Sequence, residues 1–147
     1  KDLYEEGVKL SFEQWGAGSA TAYLADNTST EKNYVDPISE YGGDVSAVSN
    51  ITIKWDDSAT DEQKMERLIT QKWIAMFPNG QEGWSEIRRT GYPKVFPLAQ
   101  STDYSIQVAN RIPFDIDEAT NNKANYIKAV QLLKGNDDYA TKMWWQR

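Results

Sequence analysis

The run from Thr60 to Pro93 constrains the fold of this chain more than any other stretch, because it holds two helices, both of their ends and the link between them. Thr60-Asp-Glu-Gln63 has the spacing of a capping box, in which the Thr hydroxyl accepts from a free first-turn N–H and the Gln side chain reaches back. Met65, Leu68, Ile69, Trp73, Met76 and Phe77 then recur at helical spacing and predict one buried stripe, which Pro78 ends. Asn79-Gly80 makes the turn. A second helix follows from about Gln81 to Thr90 with Trp84 and Ile87 inward, and Gly91 supplies a left-handed cap. This is a helical hairpin, and it predicts a mainly helical chain.

The flanking segments alternate between helical and irregular patterns. Tyr4, Val8, Phe12 and Trp15 predict a helix over Leu3 to Trp15, stopped by Gly16-Ala-Gly18, and a short helix follows over Ala20 to Ala25. Asp26 to Asp57 is rich in Asn, Ser, Thr and Gly around Tyr34, Tyr41 and Trp55; so long a stretch without helical pattern is a functional surface loop or an ordered insertion. Within it Ile51, Ile53 and Trp55 alternate with Thr52 and Lys54, which predicts a short extended segment with one face buried. Tyr104, Ile106 and Val108 suggest a second extended piece. A last helix is predicted from Asn122 to Lys134, burying Tyr126, Ile127, Val130 and Leu133 and closed by Gly135. The expected architecture is one of helical hairpins with long irregular loops and at most short extended segments. The chain also starts at Lys1 inside a helical pattern, which leads us to expect a C-terminal piece of something longer.

Composition excludes several functions. Sixteen basic against twenty-two acidic residues, with no dense Lys/Arg tract, argue against a nucleic-acid partner. No run approaches the roughly 20 apolar residues of a membrane span. Cys and His are both absent, which removes disulfides, thiolate chemistry, Ser-His-Asp catalysis and the commonest metal ligands. We assign no cofactor and no metal; the Asp clusters do not match a calcium-binding loop. Carboxylates are the remaining route to an enzyme: Glu82 with Glu86, Asp56-Asp57, Asp115-Ile-Asp117-Glu118 and Asp137-Asp138. A retaining glycosidase needs two of them about 5–5.5 Å apart across a cleft, one with its pKa raised by burial. Neighbours in sequence do not make such a cleft. Asp115 to Glu118 read as helix caps, the adjacent Asp pairs as solvated, and the chain as no enzyme.

Three blocks carry a family resemblance. Ile69-Thr-Gln-Lys-Trp-Ile-Ala75, Glu82-Gly-Trp84 and Arg88-Arg-Thr-Gly-Tyr-Pro93 together form the first, Arg111-Ile-Pro-Phe-Asp115 the second and Thr141-Lys-Met-Trp-Trp145 the third. In order and spacing they resemble the C-terminal part of the SusD/RagB-like lipoproteins of Bacteroidetes-type bacteria. The resemblance implies the family's tetratricopeptide-like helical scaffold, with residues 1–147 as a single C-terminal segment of a larger protein. It also implies non-catalytic capture of a glycan at the outer-membrane surface and its delivery to a SusC-like TonB-dependent transporter. Membrane attachment would then run only through a lipid anchor upstream of this segment.

Each conspicuous residue keeps a structural reading beside the functional one. Trp15, Trp73 and Trp84 lie on helical stripes and read as core, whereas Tyr34, Tyr41 and Trp55 sit in the polar loop and are the candidate sugar-stacking residues, since a pyranose face packs on an aromatic ring. Arg88 and Arg89 fall in the last turn of their helix, where cations favour the dipole and Glu82 or Glu86 is in reach. Within the matched blocks, Trp73, Trp84, Arg88, Arg89, Tyr92, Pro93, Arg111 and Pro113 read as fold-defining. Trp144 and Trp145 read as an anchor for the chain end, with a docking surface for the transporter as the second reading. The alternative function is a helical protein-interaction scaffold without sugar contacts of its own.

Overall fold

The computed structural model describes residues 1–38, 43–96 and 108–146. The chain divides into two units, Lys1–Phe96 and Pro97–Arg147. The first carries α1 (Asp2–Gln14), α2 (Thr21–Ala25), α3 (Asp61–Ala75) and α4 (Gly80–Thr90); the second carries α5 (Ile116–Asn121) and α6 (Lys123–Leu133). Among the described residues there is no strand, and the backbone pairs outside helices at one antiparallel bridge, Tyr34 with Val45. The protein is mainly α.

In the first unit, Tyr4 and Val8 lie one turn apart on α1 and are buried with Ala20, and Phe12, Tyr23, Leu24 and Trp55 pack around them. Trp15 does not join this stripe. It falls just past the end of α1, is more than half exposed and meets the Phe77 ring at 6.3 Å. The capping box forms as expected: Thr60 Oγ1 accepts from the Gln63 N–H at 3.2 Å, and Gln63 Oε1 accepts from the Thr60 N–H at 3.0 Å. The α3–α4 hairpin is also as expected, with Asn79 capping α4 through the Glu82 N–H and Gly91 at φ 78° ending it.

The inward face of α3 differs from the predicted stripe. Ile69 is fully enclosed, but its companions there are the charged Glu66 and Arg67, while Met65, Leu68, Trp73 and Phe77 stand 39–72% exposed. The reason is what lies over α3. Residues 49–54 cross it as irregular backbone whose polar groups need partners, and charged side chains supply them where Leu cannot. The segment around Ile51, Ile53 and Trp55 makes no strand; Arg67 and Tyr4 side chains and one backbone bond, from the Lys54 N–H to the Asp26 carbonyl at 2.8 Å, hold it. Of the second predicted extended piece, Tyr104 and Ile106 lie outside the described residues and Val108 is in no strand.

In the second unit the last helix forms where it is predicted, as α6, and the caps read at Asp115 to Glu118 start the short α5 before it. Asp115 caps α5 through the Asp117 N–H, and Asn122, at φ −131° and ψ 36°, breaks the run before α6. Tyr126, Val130 and Leu133 are half-buried rather than buried, and Ile127 is exposed. α6 ends as expected before Gly135, with Lys134 in the left-handed conformation at φ 56°. Gly135 is needed for a different reason: a Cβ there would stand 2.8 Å from Cγ2 and 2.9 Å from Oγ1 of Thr141. Asp137, expected in solvent, is instead enclosed against Arg111. Trp144 and Trp145 lie in a turn, Trp144 being 92% and Trp145 38% exposed.

Candidate functional site

The described parts of the polar stretch between α2 and α3, residues 26–38 and 43–60, are tied together by their own side chains. The Glu31 carboxylate accepts from the Val48 and Ser49 N–H groups at 2.7 and 2.9 Å, and Asn33 Oδ1 accepts from the Ala47 N–H at 2.9 Å. Between these ties, Tyr34 and Val45 exchange backbone hydrogen bonds of 2.8 and 2.9 Å. Asp44 accepts from the Asp36 N–H, and Asp36 from that of Ile38. At its start Asp26 accepts from Thr28 and Ser29, and bonds from Ser29 and Thr28 hold its carboxyl well below the usual carboxylate range.

The returning arm is bolted to the helices. Ser49 Oγ donates to Glu66 at 2.6 Å, Arg67 Nε donates to the Thr52 carbonyl at 2.9 Å, and the Tyr4 hydroxyl donates to the Ile53 carbonyl at 2.6 Å. Burial pushes the Tyr4 phenol above its ordinary value, so it stays a donor at any physiological pH. Lys94 meets the other oxygen of Glu66 at 3.4 Å, and the Tyr92 hydroxyl donates to Glu62 at 3.0 Å. Thus α3 holds the loop with Glu66 and Arg67 and the segment after α4 with Glu62 and Glu66.

Between loop and helix runs a groove of about 610 Å³ whose wall includes Tyr23, Glu31, Ser49, Arg67, Gln71 and Trp73. Ile51, Ile53, Ile74, Val95 and Phe96 make most of the remaining wall apolar, and Glu31, Ser49, Arg67 and Gln71 already hold partners within the protein, so the groove offers aromatic and aliphatic faces first. Tyr34, nearly half exposed, stands on the loop with the Phe96 ring 6.3 Å away.

The structure separates the three candidate sugar residues. Tyr34 presents its ring. Tyr41 lies outside the described residues. Trp55 is half-buried with its ring centroid 5.2 Å from that of Tyr4, and its Nε1–H donates to Asp57 at 2.9 Å, so part of it belongs to the core. The matched blocks are occupied with one another. Trp73 lies over Gly83, where a Cβ would stand 3.1 Å from its Nε1, and the Arg88 guanidinium sits 3.9 Å from the Trp84 ring centroid. Arg89 grips Glu86 with two hydrogen bonds of 3.1 and 2.7 Å, and Lys72 reaches the same carboxylate at 3.0 Å. The Arg89 bonds keep Glu86 below the ordinary carboxylate range despite its burial, with Lys72 assisting. That is the reverse of the raised pKa a glycosidase acid needs. Pro93 is buried after a cis peptide at Tyr92–Pro93.

In the second unit, the second block meets the turn that precedes the third. Arg111 donates to Asp137, which also accepts from the Phe114 N–H at 3.1 Å, while half-buried Pro113 directs the chain between them. Asn110 pairs with the Tyr139 and Ala140 carbonyls and with Gln146, beside the Trp144-Trp145 ending. Asp138 accepts from the Ala140 and Thr141 N–H groups. Among the described residues no group of three or more acidic side chains could hold a metal ion, and no helix is long and apolar enough to cross a membrane.

Sequence reasoning missed Glu31, Glu66, Arg67 and Gln71. The one available signal was two adjacent charged residues set within an apolar helical stripe, where a charge needs a buried partner.

The first unit is thus a capped helical scaffold that carries an aromatic-bearing loop. The chain belongs to the SusD-like family: the model of that family, described as "Susd and RagB outer membrane lipoprotein", matches residues 1–146. A SusD-like protein from Bacteroides thetaiotaomicron is 44% identical, with a TM-score of 0.86 over 99% of this chain and 31% of its own. A chitin-binding SusD homolog from Flavobacterium johnsoniae is 43% identical, with a TM-score of 0.84 over 98% of this chain and 30% of its own. A SusD homolog from Bacteroides uniformis is 44% identical, with a TM-score of 0.86 over 99% and 31%. The fold is thus the tetratricopeptide-like helical scaffold of that family, and the chain spans about a third of the length of these relatives. No curated protein matches it.

Proposed function

We propose that this chain is the C-terminal part of an outer-membrane lipoprotein that captures glycan without cleaving it and passes it to a SusC-like TonB-dependent transporter. The observation that carries this reading is 43% identity, over 98% of the chain, to a homolog described as chitin-binding. Local chemistry supports it. Of the carboxylates singled out for catalysis, Glu86 is held by Arg89 and Lys72 and Asp137 by Arg111, while the loop carries Tyr34 nearly half exposed. Tyr34 and Tyr41 are the proposed stacking residues, with Trp55 contributing what its packing on Tyr4 leaves free.

Replacing Tyr34, Tyr41 and Trp55 singly by Ala in the full-length gene product and titrating chito-oligosaccharide tests the assignment. Loss of one stacking platform lowers affinity by about 1 kcal/mol or more, roughly fivefold or above. Unchanged affinity in all three variants would remove the sugar contacts from this segment. The second reading, a protein-interaction scaffold, is favoured by the 92% exposure of Trp144; Trp144→Ala would then weaken co-purification with the transporter and leave glycan affinity intact.

A further inference from the structure

We propose that Asn79 is a site of spontaneous deamidation, which the folded α3–α4 hairpin holds closed and which becomes reactive when α4 uncaps. Asn79-Gly80 is the one Asn-Gly step in these 147 residues, and no Asp-Gly step occurs. Asn is a chemically labile residue, and most so before Gly, whose missing side chain lets the next backbone nitrogen approach the Asn amide. In the reaction the Gly80 nitrogen gives up its proton to solvent base and attacks Cγ of Asn79. The N–Cγ bond forms, the Cγ–Nδ2 bond breaks and ammonia leaves. Water then opens the five-membered imide on one side or the other. The product is aspartate or, with the backbone rerouted through Cγ, isoaspartate.

The structure blocks the first step in three ways. Ring closure needs the Gly80 nitrogen on the same side of the Cα–C bond as the Asn79 Cβ, whereas at φ −79° and ψ 79° it points away. That conformation is an inverse γ-turn, and in it the Gly80 N–H donates to the Pro78 carbonyl at 3.0 Å, so the attacking nitrogen is occupied. The amide under attack is occupied as well: as the N-cap of α4, Asn79 Oδ1 accepts from the Glu82 N–H at 3.1 Å. All three blocks are released together when the first turn of α4 opens. The fold itself does not call for glycine here, since Gly80 is not among the positive-φ glycines and a Cβ on it would meet nothing within 4 Å. The two products differ in consequence. Aspartate caps a helix as well as asparagine does, but isoaspartate lengthens the backbone by one atom and carries its carboxylate directly on Cα, so it cannot restore the cap.

Incubating the full-length gene product in mildly alkaline buffer, with and without urea, tests this when Asn79 conversion is measured by mass in the tryptic peptide of residues 73–88. Asn79 is the only Asn in that peptide. Conversion is at least about tenfold slower in the native protein than in urea. Gly80→Ala slows the reaction in urea by about tenfold or more, because the added methyl hinders the approach of the nitrogen. Native conversion at the urea rate overturns the protection by the hairpin. A Gly80→Ala chain that converts in urea as fast as the parent overturns the site itself.

Discussion

The pair formed by Arg111 and Asp137 is the most exacting test of how the second unit is held. Their side chains are 7% and 9% exposed, and the guanidinium also lies 5.0 Å from the Phe114 ring centroid. Arg111→Met keeps most of the aliphatic stem but leaves the Asp137 carboxylate with only the Phe114 N–H and the Tyr126 hydroxyl. Removing one partner of a deeply buried pair costs about 3–5 kcal/mol; the small unit around this one permits some rehydration, so the expected cost is about 2–4 kcal/mol. At a urea slope of about 2 kcal/mol/M, the midpoint falls by about 1–2 M. Asp137→Asn should cost a similar amount, since it strands the guanidinium. The double variant should cost clearly less than the two singles summed, because each charge is unfavourable only without the other.

The pH profile gives an independent check on the same pair. Burial raises the Asp137 pKa, but the bonds from Arg111, Phe114 and Tyr126 outweigh it and hold the carboxyl below its ordinary value. An unfolded Asp titrates near about 3.9, so the stabilisation is complete above that pH and is lost as pH falls through the lower folded value. Arg111→Met should flatten that acid limb. Urea unfolding followed by Trp emission reads both effects, and a single-variant cost below about 0.5 kcal/mol, or additivity in the double variant, would refute the reasoning.

Three further outcomes are expected. Gly135→Ala drives a Cβ into the stiff Thr141 side chain and should cost about 1–3 kcal/mol, with Thr141→Ala in the same chain relieving most of it; equal loss with and without that relief would exclude the clash. Thr60→Ala removes the hydroxyl that caps α3 and should lower stability by about 1 kcal/mol, measured by the same urea titration. Tyr4→Phe leaves the Ile53 carbonyl without its donor and should cost about 1–2 kcal/mol, accompanied by faster amide exchange over residues 49–55 as that arm loosens.

What could be read from the chain alone was whatever local geometry decides. The Thr60 capping box, the Gly91 cap, the Asp115 cap and the Arg89–Glu86 pair involve residues two or three positions apart or a single backbone conformation, and each formed as expected. Readings that needed a distant partner fared worse. Glu66 and Arg67 are buried because Ser49 and Thr52 cross them, contacts fifteen or more positions away that no periodicity encodes. Asp137 was read as solvated because its partner, Arg111, lies 26 positions earlier. Gly135 follows the end of α6 as expected, but the demand for no side chain there comes from Thr141 across the turn, six positions away. Of the candidate site, the loop and its aromatic Tyr34 were legible; the anchors that make the loop rigid were not.

Glycan capture without cleavage is tested most directly by titrating the full-length gene product with a panel of oligosaccharides that includes chito-oligosaccharides, following Trp emission and the appearance of new reducing ends together. Saturable binding of at least one glycan with no new reducing ends is the expected result. Turnover of any glycan, or no saturable binding across the panel, would contradict it.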